Sequence, residues 1–163
     1  MIERAPTGLI IGRFCPPHLG HSHLVRTAAE QVDRLVVFVN TRDGEPVPGA
    51  LRHQWLRELH PEATVVHVRH DLDTDFGDEV LWARWMQLLR SHWPLPAGPH
   101  VVFSSEGYGS ELARRFGAQG RTVDADRSAV PVSATMIREN PLQYLDFLAP
   151  PVRAWVEHWA RAR

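Results

Sequence analysis

Five times along this chain a short apolar run gives way to an amphipathic stretch, and that alternation narrows the fold more than any other feature. The runs are TGLIIG (7–12), RLVVFVN (34–40), ATVVHVR (63–69), HVVFSS (100–105) and GRTVDA (120–125). Between them, 20–32, 49–60, 77–93 and 109–118 carry apolar residues at helical spacing. Pro94 closes the third of these and Gly117 marks the end of the fourth. Near-continuous apolar strands alternating with helices predict a parallel sheet covered on both faces. The expected fold is therefore α/β, a single-domain Rossmann-like doubly wound sheet of about five strands spanning 1–163. A helical tail is expected over about 133–163, broken by Pro141, Pro150 and Pro151. In such sheets ligands bind outside the carboxyl ends of the strands. The polar loops 41–48 and 70–77 are expected to wall that region and to move.

Composition removes several function classes. With 163 residues and a net charge of −1, the chain has no basic excess for nonspecific nucleic-acid or acidic-membrane binding. All 18 basic residues are Arg, and the absence of Lys excludes Schiff-base catalysis and a Walker lysine. Phosphate must then be held by Arg, His, hydroxyls or backbone amides. A single cysteine, Cys15, permits no intrachain disulfide and fits a reducing, cytoplasmic setting. The opening segment, MIERAPTGLIIGRF, has too short an apolar run for a signal peptide, and no run approaches the ~20 residues of a membrane span.

The stretch GRFCPPHLGH (12–21) follows the first strand, where chemistry is expected. Gly12 allows close approach of a ligand to the strand end, and Pro16 and Pro17 stiffen the turn. If Gly20 and His21 open a helix, His18 and His21 lie at its N-terminus, whose free N–H groups favour an anion. Two surface histidines at a helix start, or a metal pair, would have the same spacing; no Cys or carboxylate cluster accompanies them, and no metal site is expected. A second stretch, VPVSATMIREN (130–140), offers Ser133 as an N-cap, Thr135 in the first turn and Arg138 on the face of Thr135. Its hydroxyls and guanidinium suit a β,γ-phosphate; a capped surface helix with a solvated Arg is the alternative.

Together these stretches resemble the GxFxPxHxGH and I-S-x-T-x-x-R signatures of the nucleotidyltransferase superfamily. Gly12, Phe14, Pro16, His18, Gly20 and His21 match the first; Ser133, Thr135 and Arg138 match the second, with Val132 for Ile. LRHQWLRELHP (51–61), DEVLWARWMQLLR (78–90), SSEGYG (104–109), VDADRSAVPVSATMIRENP (123–141) and PPVRAWVE (150–157) further resemble the NadR-type nicotinamide-nucleotide adenylyltransferases. The likeness runs over nearly the whole chain. The DNA-binding and kinase domains of the large NadR proteins are not expected within these 163 residues, and no GxxxxGK[ST] is present in them.

The resemblance implies attack of a phosphate-bearing acceptor on the α-phosphorus of a nucleoside triphosphate, with pyrophosphate leaving. It implies catalytic roles for His18, His21 and Arg138. Gly12, Arg13, Phe14, Gly20, Ser104, Ser105, Tyr108, Arg127, Ser133 and Thr135 are the expected nucleotide-binding residues. Trp82 is expected to stack on the acceptor base, with Arg52 and Trp55 nearby on the preceding helix; a core role rivals it at Trp82 and is favoured at Trp85. Asp124 and Arg127 could equally form a structural pair. Cys15 reads as a bystander with a modifiable thiol, and His23, His53, His60, His67 and His70 have no evident partner. Mg²⁺ is expected with the triphosphate. The leading reading joins ATP to nicotinamide mononucleotide, giving NAD. Two others remain: a CTP-dependent cytidylyltransferase acting on a small phosphate or phosphonate, and a nucleotide sensor without turnover. The partners are small molecules, without nucleic acid or membrane; the tail helix, apolar at 152, 155, 156 and 159, packs on the core or on a second subunit.

Overall fold

The computed structural model describes residues 3–163; Met1 and Ile2, and with them the start of the segment tested for a signal peptide, lie outside the described residues. Five parallel strands form one sheet: β1 (Ala5–Gly12), β2 (Val32–Thr41), β3 (Thr64–Arg69), β4 (Val101–Ser104) and β5 (Gln119–Thr122). Their spatial order is β3-β2-β1-β4-β5. The chain therefore reverses its winding between β1 and β4, and the crevice beyond their carboxyl ends is where a ligand fits.

The connecting helices are α1 (Leu19–Ala29), α2 (Gly49–Leu59), α3 (Glu79–His92) and α4 (Gly109–Phe116). Strand β2 shows why the runs look uniformly apolar. Val37 and Val39 join Leu24, Val25 and Leu56 on the α1/α2 face, whereas Val36 and Phe38 join Leu89, Leu112 and Phe116 on the α3/α4 face. Period-two alternation persists, but both faces are dry. Helix α4 ends where expected, with Gly117 in the left-handed region at φ 71°.

After β5 the chain forms α5 (Ala134–Glu139), a 3₁₀ stretch (Pro141–Phe147) and α6 (Pro150–Ala162). These pack through Ile137, Leu148, Val152 and Val156 against Cys15, Val47 and Trp55, a third apolar cluster. The tail thus closes over the loop after β1, and Trp155 and Trp159 of α6 stack at 5.8 Å between centroids. No helix among the described residues is long and apolar enough to cross a membrane.

Candidate active site

The two histidines of the first loop are held by their own backbone. His18 is the N-cap of α1, one residue earlier than the sequence suggests, because its Nδ1 accepts from the Gly20 N–H at 3.0 Å. The His21 Nδ1 in turn accepts from the His18 N–H at 3.1 Å. The result is a capping box built from imidazoles. A Cβ at position 20 would lie 2.7 Å from the His18 ring, so Gly20 is required by the ring folded over it. The imidazoles stack with centroids 3.7 Å apart, and Phe14 meets His21 edge-on at 4.8 Å. Phe14 itself is at φ 50°, a strained conformation for an aromatic residue, next to the reacting region.

This geometry determines the tautomers. Both Nδ1 atoms are acceptors, so each neutral ring carries its proton on Nε2. Burial pushes the His18 pKa down to about 3, with Arg127 adding to the shift. Burial also drives His21 well below its ordinary value, helped by His18, Arg127 and His60. The free protein therefore presents two uncharged N–H donors.

Ser133 caps α5, accepting from the Met136 N–H at 3.2 Å. The Arg138 guanidinium donates to the Cys15 carbonyl at 2.6 Å and to Thr135 Oγ1 at 3.3 Å. One hydrogen bond thus ties the second motif to the first across 123 positions of sequence. His18, His21 and Arg138 line a single cleft of about 350 Å³. The ten expected nucleotide-binding residues, Gly12, Arg13, Phe14, Gly20, Ser104, Ser105, Tyr108, Arg127, Ser133 and Thr135, line it too. Arg127 donates to the Val132 carbonyl and to Glu106, at 3.0 and 3.2 Å. Asp124 and Arg127 meet through the backbone, the Arg127 N–H donating to the Asp124 carbonyl at 2.9 Å, and not through an ion pair of their side chains. The Asp124 carboxylate takes the backbone N–H groups of Ala129 and Val130, which fixes the loop before the second motif.

A second cavity, of about 480 Å³, adjoins the first and shares Ile11, Gly12, Arg13 and Tyr108 with it. Its walls are Phe76, Trp82, Trp85, Leu89 and Leu112, with Asn40, Arg42, Glu45 and His70 at its polar side. Loops 41–48 and 70–77 both contribute to it. The indoles of Trp82 and Trp85 donate to the carbonyls of Phe76 and Asp73, at 3.1 and 2.9 Å, so α3 itself pins the loop that precedes it.

The three expected acceptor residues fare differently. Trp82 lines the aromatic cavity, but the Arg115 guanidinium lies 4.4 Å from its ring centroid and covers part of it. Arg52 is corrected: it has no exposed surface, and it donates to the carbonyls of Val47 and Arg13 and to Glu45. Its charge is spent holding the loop after β2. Trp55 is likewise corrected; it is buried in the third cluster, edge-on to Trp155 at 5.9 Å. Cys15 is buried beside Ile137 and Val152 rather than offered for modification.

Several contacts in and around the site escaped the sequence. Trp85 is partly buried against the apolar cluster of the α3/α4 face, as expected, and it also lines the aromatic cavity against His70, centroids 4.5 Å apart. Its spacing of three from Trp82 was the available signal. Glu45 takes Arg13 at 2.9 Å and Arg52 at 2.7 Å. Burial works to raise its pKa, but the Arg42 N–H and the Arg52 guanidinium outweigh that and leave it lowered. His60 also gains partners, Ser22 at 3.2 Å and Glu62 at 3.3 Å. Among the described residues no group of three or more His, Cys, Asp or Glu is arranged to hold a metal ion.

Comparison with known proteins places this geometry. The cytidylyltransferase-like family model matches residues 9–46. Over 93% of its length the chain is 25% identical to the trifunctional NAD biosynthesis/regulator protein NadR of Escherichia coli K12, covering 40% of that protein. The crystal structure of a NadR protein in complex with NAD and AMP-PNP is similar with TM-score 0.58 and 25% identity, over 88% of this chain and 44% of that one. A bifunctional NMN adenylyltransferase/ADP ribose pyrophosphatase of Francisella tularensis, solved with AMP and a manganese ion, shares the fold at TM-score 0.61 and 13% identity. That likeness covers 90% of this chain and 43% of the other. The chain thus spans less than half the length of each of these three relatives.

Proposed function

We propose that this chain, a NadR-type nucleotidyltransferase by its fold and its two motifs, transfers AMP from ATP to nicotinamide mononucleotide, forming NAD and pyrophosphate. The observation that carries the reading is the convergence of His18, His21 and Arg138 on one cleft that opens into an aromatic cavity. The triphosphate lies in the cleft and the acceptor base in the cavity. Their phosphates meet at the end of β1, beside Gly12 and Arg13, which both spaces share.

The acceptor is already an anion, so its phosphate oxygen attacks the α-phosphorus without a general base. The bond from that phosphorus to the bridging oxygen breaks, and the electron pair leaves with pyrophosphate. The protein's contribution is alignment and stabilisation of moving charge. The Nε2–H groups of His18 and His21 donate to the α- and β-phosphate oxygens. Arg138, anchored through Cys15 and Thr135, receives the departing pyrophosphate, and Ser133 and Thr135 hold its far end. A divalent ion enters as part of the Mg²⁺–nucleotide substrate, since no protein cage for it is formed among the described residues. A cationic pyridinium over an indole gains about 1–2 kcal/mol. Trp85 is the better platform, because it is half-buried whereas Trp82 is buried and partly covered by Arg115. This reading places the enzyme among cytoplasmic nucleotide pools and treats the described chain as one catalytic unit.

The match to the cytidylyltransferase-like family model favours a second reading, in which CTP replaces ATP and a small phosphate or phosphonate replaces the mononucleotide. A matrix of ATP and CTP against these acceptors, read by pyrophosphate release, separates the two. Turnover is expected with ATP and nicotinamide mononucleotide. Exclusive use of CTP overturns the first reading, and tight ATP binding with no release for any acceptor leaves a sensor.

A further inference from the structure

Asn40 stands at the carboxyl end of β2 and lines the aromatic cavity. It is 8% exposed, and its Oδ1 is the one buried side-chain nitrogen or oxygen among the described residues that has no hydrogen-bond partner. An unpaired buried acceptor costs free energy that a ligand's donor recovers. The residue's root is fixed, since its backbone carbonyl accepts from the fully buried Arg52 at 3.5 Å. Its carboxamide oxygen is held by no internal bond and can turn about Cβ–Cγ to meet a ligand.

The surrounding charges decide which ligand group fits. The two guanidiniums of the cavity, Arg13 and Arg42, are already engaged by Glu45 and Asp73. Glu45 and Asp75 add carboxylates to the wall. A ligand carboxylate would bring only acceptors to this place; a primary amide brings two N–H donors. We propose that Asn40 is a specificity-determining residue, whose carboxamide oxygen accepts an N–H of the amide on the acceptor's ring, so that the cavity takes the amide form of the acceptor over the carboxylate form. This rests on the reading of the aromatic cavity as the acceptor site.

The test is equilibrium binding of nicotinamide mononucleotide and of nicotinic acid mononucleotide, followed by quenching of indole fluorescence. The wild-type protein is expected to bind the amide at least about tenfold more tightly, the order of one hydrogen bond lost together with an unpaired acceptor. Asn40→Ala should weaken the amide about tenfold and leave the acid unchanged. Asn40→Asp keeps the shape and the acceptor; should the alanine variant fail to fold, a rise in the amide-to-acid ratio in the aspartate variant serves instead. Equal wild-type affinities, or an unchanged ratio in Asn40→Asp, overturn the proposal. So does equal weakening of both ligands in Asn40→Ala, which would point to a ribose hydroxyl that both share. Failure to bind either compound also overturns it. Selective binding of the amide without pyrophosphate release would leave the proposal standing and remove the proposed transfer reaction.

Discussion

The two cavities beside β1 are built on opposite principles. The polar cleft is fixed by backbone hydrogen bonds: each imidazole caps an amide, and Arg138 grips a carbonyl before any ligand arrives. The aromatic cavity is fixed by side chains that reach back to loops, with two indoles on the carbonyls of one loop and Glu45 between two arginines on the other. Chemistry that must stabilise charge in transit benefits from donors that need not reorganise. Recognition of a flat base needs area and adaptable walls. On the proposed function, the difference assigns rate to the first region and selectivity to the second.

Substitutions can break that division. Arg138→Lys should have the largest effect. Lysine cannot hold the Cys15 carbonyl and a phosphate with one planar fork, so kcat should fall about 10²–10³-fold, with the KM for nucleotide changed only a few-fold. Steady-state kinetics with pyrophosphate detection checks this, and a pure KM effect would show ground-state binding instead. Trp85→Ala should produce the converse: the KM for the acceptor rises about tenfold, in line with the loss of 1–2 kcal/mol of stacking, while the nucleotide KM holds. If both KM values move together, the two spaces are one site.

The smallest expected effect concerns protons. In the folded chain the His18 pKa is about 3, far below the ordinary 6.5. Between those values the unfolded state binds more protons than the folded state, so stability rises with pH there. The contribution is complete above about pH 6.5 and is lost as pH falls, by about 1 kcal/mol per pH unit. Denaturation midpoints at pH 7.5 and 5.5 should therefore differ less in His18→Asn, which keeps a cap but not the titration. Equal differences would mean that burial of the ring does not govern its protonation.

Much of this was legible in the residues. Strands buried on both faces announce themselves as unbroken apolar runs, and Pro94 and Gly117 punctuate helices whatever surrounds them. The polar cleft was legible because its side chains belong to two short, rigid stretches whose local geometry is largely self-determined. The aromatic cavity was not, because its parts meet only through tertiary contacts. Arg52 sits on an amphipathic helix and reads as an acceptor-binding guanidinium; only Glu45 and the carbonyls of Val47 and Arg13 make its burial tolerable. Trp55 and Trp85 look alike in sequence. The tail helices cover one, and the loop before α3 leaves the other on a cavity wall. Asn40 closes a strand like many others, and only the fold shows that nothing answers its oxygen.

The bond from Arg138 to Cys15 has a consequence for the order of events during synthesis. A nascent chain that has emerged only as far as β5 lacks Arg138 and, on the proposed function, has no guanidinium to catch a leaving group. On that reading transfer waits until α5 docks and α6 seals it, so that catalyst and fold are completed together.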